Sequence, residues 1–170
     1  MITISNTSPI CYLYLINCLD LFPRLFGQVT LPKSVCDELK AEGAPVGLQD
    51  WIAQPPSWAN IHTGALTLSE TNPALDRLHA GERDAILLAR HLGADLIILD
   101  EKAARQVAKE YGFKVTGLLG LLSEAARLGL LNFPSAIERL QKTNFRASPR
   151  LLKLLLDRHE KEEKAIEKNA

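Results

Sequence analysis

The segment Asp95-Leu-Ile-Ile-Leu-Asp100 constrains this chain more than any other. Its four consecutive apolar residues leave no polar face for water. Such a run marks a strand covered on both sides, whereas a sheet with one wet face alternates. Covering both sides needs helices, and the flanking sequence supplies them. Glu82 to Leu92 has a helical pattern stopped by Gly93, and Glu101 to Tyr111 has another stopped by Gly112. Lys114 to Thr116 reads as a further short strand, and Gly117 to Leu128 as a helix ended by Gly129. Strands alternating with helices predict an α/β domain with a parallel sheet and right-handed crossovers.

The first half fits the same scheme. Met1-Ile-Thr-Ile-Ser5 alternates and is β-branched, which predicts a first strand. Ser8-Pro9 then reads as a helix start with Ser8 as N-cap. Ile10 to Leu25 is apolar and helical, with breaks expected near Asn17 and Pro23. A second strand is expected over Gln28 to Leu31, and a helix over Lys33 to Ala41 that Gly43 ends. Residues 43–60 are rich in Gly and Pro, with room for a short helix over Leu48 to Ala53 and a strand near Trp58 to His62. Residues 64–74 read as a loop. Trp51 and Trp58 flank a Pro pair, where packing is the simpler role than base stacking.

Two helices, Phe133 to Thr143 and Pro149 to His159, close the chain. Leu151, Leu152, Leu154, Leu155 and Leu156 give the second a broad apolar face, better suited to core or a dimer surface than to a ligand. The expected organisation is one domain over residues 1–156 and a charged tail over 157–170, a helix end or disordered.

Several classes are disfavoured. No apolar run reaches the roughly 18 residues of a membrane helix. Met1 to Pro9 has no basic start followed by an apolar stretch, so no signal peptide is expected and the cytoplasm is the expected compartment. Cys11, Cys18 and Cys36 form no Cys-x-x-Cys pair, and the four histidines lack zinc-type spacing. No Gly-x-Gly-x-x-Gly or Walker-type loop is present. Net charge is zero but unevenly spread. Residues 1–100 hold 6 Lys/Arg and 11 Asp/Glu, a net of −5, and residues 101–170 hold 14 and 9, a net of +5. The basic half can steer a polyanion, although a solvated two-signed helical surface explains it equally well.

In an open parallel sheet, ligands bind outside the carboxyl ends of the strands. Asn6, Thr7 and Ser8 follow the first strand, and Asp100 and Glu101 follow the buried one. Asp37 and Glu38 on one helix, and Glu82 and Asp84 on another, bring further acids early in those helices. Gathered carboxylates repel and are driven toward protonation unless a cation joins them. Oxygen-only ligands point to Mg²⁺ or Mn²⁺, which suits phosphodiester cleavage. Taken singly, these acids have simpler roles at helix N-termini or in solvent. Ser8 has a capping role as the alternative to positioning water or phosphate. Arg105, one turn past Glu101, has a salt bridge as the alternative to phosphate contact.

Jointly the motifs resemble the PIN-domain superfamily, in particular a branch of small prokaryotic proteins related to the toxins of toxin–antitoxin pairs. The similarity runs through Ile4-Ser-Asn-Thr-Ser-Pro-Ile10, Leu31-Pro32 to Val35-Cys-Asp-Glu-Leu39, Gly81-Glu-Arg-Asp-Ala-Ile86, Leu99-Asp-Glu101 with Arg105, Thr116-Gly117 to Gly120, and Phe145-Arg146 to Ser148. The resemblance implies a Rossmann-like three-layer fold, a small central parallel sheet flanked by helices. It implies an Mg²⁺- or Mn²⁺-dependent endoribonuclease, with Glu38, Glu82 and Asp100 as metal ligands and Asp84 as a supporting acid. Ser8 and Arg105 would bind the RNA substrate. It further implies a homodimer and an antitoxin protein partner. The sequence departs from the family pattern at Asn6, where the first strand usually ends in Asp. An amide ligates a cation without charge and cannot act as a base, so a weakened module that binds RNA or a protein partner is the alternative.

Overall fold

Five parallel strands form the sheet of the computed structural model, which describes residues 1–66 and 72–169, with side chains through 165. The strands are β1 (Thr3–Ser5), β2 (Val29–Pro32), β3 (Ala59–His62), β4 (Leu96–Ile98) and β5 (Val115–Thr116). Their order is β3-β2-β1-β4-β5. Thus β1 is central, with Ile4 opposite Thr30 of β2 and Ile97 of β4.

Helices connect the strands: α1 (Thr7–Leu15), α2 (Leu21–Phe26), α3 (Lys33–Lys40), α4 (Leu48–Ala53), α5 (Pro73–Asp76), α6 (Ala80–Leu92) and α7 (Lys102–Glu110). α8 (Leu118–Arg127), α9 (Phe133–Gln141) and α10 (Pro149–Asn169) follow the last strand. The expected α/β class with a parallel sheet is the observed one. The apolar run behaves as its composition requires, for Ile97, Ile98 and Leu99 are fully buried. Each such side chain contributes roughly 1.5–3 kcal/mol through burial. Ile4, Ile86, Ala89, Ala104 and Ala108 join Ile97 and Leu99 in one core cluster.

Contacts along the chain divide it into two compact units, Met1–Leu118 and Leu119–Ala170. The first contains the whole sheet and α1 to α7. In the second, Phe133, Ala136, Ile137 and Leu140 of α9 are buried, and the Phe133 ring lies 5.3 Å from that of His159 on α10.

Some local expectations change. α1 begins at Thr7, and its N-cap is Asn6 in an extended conformation (φ −94°, ψ −173°), so Ser8 is a second helical residue and not the cap. The break at Asn17 is present: it takes φ of 61°, a left-handed conformation that Asn tolerates and that a helix cannot continue through. Pro23 breaks nothing, because it sits in the first turn of α2, where its missing N–H is not required. Trp58 stacks on Phe22 at 5.4 Å and lies 5.6 Å from Trp51, a packing role for both indoles. Of the loop expected over 64–74, residues 67–71 lie outside the described residues, while Asn72 caps α5 by accepting the Ala74 N–H at 2.9 Å. No helix of the described residues is long and apolar enough to cross a membrane.

Candidate active site

The strand order reverses direction at β1. Connections run outward from β1 to β2 and β3, and the chain then returns to place β4 on the other side of β1. A crevice opens at such a switch point, beyond the carboxyl ends of the two central strands, where ligands of doubly wound folds bind. Asn6 directly follows β1, and Asp100 stands two residues past the end of β4. Their elements are tied together by the Asn6 N–H, which donates to the Ile98 carbonyl at 3.3 Å.

Both side chains present an unpartnered oxygen. Asn6 is 4% exposed, and its Oδ1 is buried with no hydrogen-bond donor among the described residues. Asp100 Oδ2 is in the same state, while its Oδ1 accepts the Leu118 N–H at 2.7 Å. A buried acceptor without a donor costs about 1–3 kcal/mol. Two of them at adjoining strand ends form a place where a cation or a donor ligand would be stabilised. Burial raises the Asp100 pKa above its usual value, against the lowering effects of the Leu118 N–H and the Arg105 guanidinium, and Glu101 adds to the rise.

Arg105 reaches this point from α7. One of its guanidinium nitrogens and Asp100 Oδ1 both lie against Gly117, 3.4 and 2.9 Å from where a Cβ would be. Of the two roles open to Arg105, the ion pair with Glu101 is absent among the described residues. Glu101 is the N-cap of α7 with extended dihedrals (φ −67°, ψ 130°), so it lacks the helical geometry that aligns i and i+4 side chains.

Glu38 lies deeper in its helix than expected. It is the sixth residue of the eight-residue α3, with no acid in the first turn, so the helix N-terminus is not what stabilises it. Its carboxylate is held instead from two other elements. The Thr7 hydroxyl donates to Oε2, and the Gly81 N–H donates to Oε1 at 2.8 Å. Adjacent Asp37 points away and pairs with Lys33 at 2.6 Å. Glu38 also raises the Cys11 thiol pKa, which burial has already pushed up, to about 11.

Of the two acids on α6, Glu82 is the buried one, 8% exposed. Its Oε2 accepts the His79 N–H at 3.2 Å, half of a capping box. Burial raises its pKa. The His79 N–H and the His79 ring oppose that rise, while Glu101 and Glu38 add to it. Asp84 keeps its side chain 22% exposed and meets Arg83 at 3.3 Å. Ser8 is half-buried on α1.

These oxygen donors suit a hard divalent cation. Among the described residues, however, no three His, Cys, Asp or Glu side chains are grouped closely enough to hold one ion. Mg²⁺ is commonly held by only one or two carboxylates, with waters and substrate phosphates completing the shell. The unpartnered Asn6 and Asp100 oxygens fit that mode.

The family model described as a PIN domain matches residues 2–161. The chain belongs to the PIN-domain family. The match crosses both compact units, and the fold is the nuclease-like one of PIN domains, which generally depend on a divalent metal. No curated protein and no solved structure gives a significant match.

Thr7, Gly81 and Gly117 of this PIN domain are the site residues that sequence reasoning left without a role. Thr7 and Gly81 each adjoin a candidate residue in sequence. Only the meeting of α1, α3 and α6 shows that both hold Glu38.

Proposed function

We propose that this PIN domain is a divalent-metal-dependent endoribonuclease, the toxin-like member of a toxin–antitoxin pair. The observation that carries the reading is the pair of buried, unpartnered oxygens, Asn6 Oδ1 and Asp100 Oδ2, at the switch point between β1 and β4. Mg²⁺ or Mn²⁺ bound there would polarise a phosphate oxygen and make water a better nucleophile. Asp100 supplies the charge for that binding and Asn6 a neutral oxygen. Glu38, fixed by Thr7 and Gly81, adds negative charge at the margin. Glu82, buried on α6 with its Oε2 held by the His79 N–H, is the candidate proton acceptor. Arg105 attracts the phosphodiester next to Asp100, Ser8 offers it a hydroxyl, and Asp84 is a supporting acid on α6. The basic residues of 101–170 draw RNA toward the site. The family resemblance supports a homodimer in the cytoplasm and an antitoxin whose peptide covers the crevice.

Asn6 favours a second reading, a PIN-fold module that binds RNA or a protein partner without cutting. Thermal unfolding with Mg²⁺ or Mn²⁺ separates the two, since a ligand that binds only the native state raises Tm. A rise at millimolar ion, with RNA cleavage that Asn6→Asp strengthens, supports the nuclease. No rise and no cleavage in either protein would leave the binding module.

A further inference from the structure

The second unit carries a surface that contains none of the strand-end site's residues. A groove of about 570 Å³ runs between α9 and the start of α10, with Ile137, Leu140, Leu152 and Leu156 on its walls. Beside it, a hollow of about 490 Å³ follows one face of α10 and is lined by Arg150, Lys153, Leu154, Asp157, Arg158 and Lys161. Leu154, on the wall of this hollow, is 58% exposed among the basic side chains.

The charges around these hollows are unbalanced. Arg146, Arg150, Lys153 and Lys161 have no acid within ion-pair distance among the described residues. Lys153 and Asp157 are four residues apart, yet they do not pair. Farther along α10 the charges pair internally: Arg158 with Glu162 at 2.9 Å, His159 with Glu163 at 3.2 Å, and Lys164 with Glu160. The surface therefore combines aliphatic walls with free cations.

We propose that this face docks an acidic amphipathic helix from a protein partner. The partner's apolar side chains would enter the α9–α10 groove and cover Leu154, while its carboxylates would meet Arg146, Arg150, Lys153 and Lys161. Helix-in-groove recognition uses apolar anchors at this spacing. The stretch from Arg150 to Lys161 spans roughly 17 Å at 1.5 Å per residue, about three turns of a partner helix. RNA would satisfy the cations but leave the leucines wet, and aliphatic walls offer its bases no stacking surface. A second copy of α10 is a poor occupant, because the acids at its far end are already paired with its own cations. The inference requires neither metal binding nor cleavage.

The test uses the full chain and a synthetic, fluorescently labelled helical peptide with leucines at heptad a and d positions and glutamates elsewhere. Controls are the same peptide with lysines for glutamates, a sequence-scrambled acidic peptide, and a single-stranded RNA. Anisotropy should show binding of the acidic amphipathic peptide alone among the peptides. The double variant Arg150→Glu/Lys153→Glu should weaken it about tenfold or more, with helicity unchanged by circular dichroism. Leu154→Asp should weaken it while leaving the oligomeric state unchanged. Failure of the peptide to bind, equal binding to the charge-reversed variant, or equal binding of the scrambled peptide would overturn the proposal. Loss of RNA binding alone would identify a nucleic-acid surface, and a change of oligomeric state in Leu154→Asp would identify a contact between copies. Either result would also overturn it.

Discussion

The Glu38 carboxylate occupies the space a side chain at Gly81 would need. Its Oε1 accepts the Gly81 N–H at 2.8 Å, and a Cβ on residue 81 would stand 2.7 and 2.8 Å from the two carboxylate oxygens. The contact is with the far end of a flexible side chain, so a methyl group displaces the carboxylate more readily than it disrupts the fold. Gly81→Ala should therefore cost about 1 kcal/mol of stability, of the order of one hydrogen bond. It should lower RNA cleavage far more, up to about 100-fold, as a misplacement of about 1 Å can do. Thermal melts and cleavage rates on the same preparation check this split.

Thr7 holds the other Glu38 oxygen. Thr7→Val keeps the shape and removes the donor, leaving a half-buried carboxylate oxygen without its hydroxyl. A loss of about 1–3 kcal/mol is expected, with a fall in cleavage. Thr7→Ser restores the donor and should restore both. If Val and Ser variants behave alike, the hydroxyl is not what positions Glu38.

Burial is the largest cause of the raised pKa values of Glu82 and Asp100. For an acid whose folded pKa exceeds its unfolded value, the native state holds the proton longer. Stability is then highest below the unfolded values, ordinarily 4.5 and 3.8, and falls as pH rises from there through the folded values. Without divalent ions, Tm should decline across that window. Glu82→Gln cannot ionise and should flatten part of the decline, while its amide oxygen can still accept the His79 N–H. Adding Mg²⁺ should flatten it too, because a cation favours the ionised forms. A Tm that rises through this window in ion-free buffer would contradict the assignment.

Much of this was legible in the sequence because it rests on local pattern. The run from Leu96 to Leu99 reveals a covered strand, and Gly93 reveals where the preceding helix stops. Which of Glu82 and Asp84 is buried was not legible: Glu82 is the buried one, and Asp84 meets Arg83. What sequence could not show depends on chain segments far apart. Glu38 is 31 residues from Thr7 and 43 from Gly81, and no periodicity links them. The Glu101 ion pair open to Arg105 does not form for a related reason: such pairing assumes helical geometry, which an N-cap residue lacks. The Ser8 capping assignment failed by two residues because the extended backbone of β1 leads directly into α1 at Asn6.

Asn6→Asp places a carboxylate beside Asp100 in a buried crevice. Like charges there repel, so in ion-free buffer the variant should be less stable than the wild type. Mn²⁺ should then stabilise it more than the wild type, crossing the two melting curves as ion is added. Parallel curves would show that position 6 does not face the ion.

RNA cleavage by the wild type and by Asp100→Asn, measured across a Mn²⁺ titration, tests the central claim most directly. Asp100→Asn keeps an Oδ1 to accept the Leu118 N–H and removes the charge at the switch point. The expected result is cleavage that rises with Mn²⁺ in the wild type and falls about 100-fold or more in the variant. Cleavage that needs no ion, or that proceeds equally in both proteins, would contradict a metal-dependent site at the ends of β1 and β4.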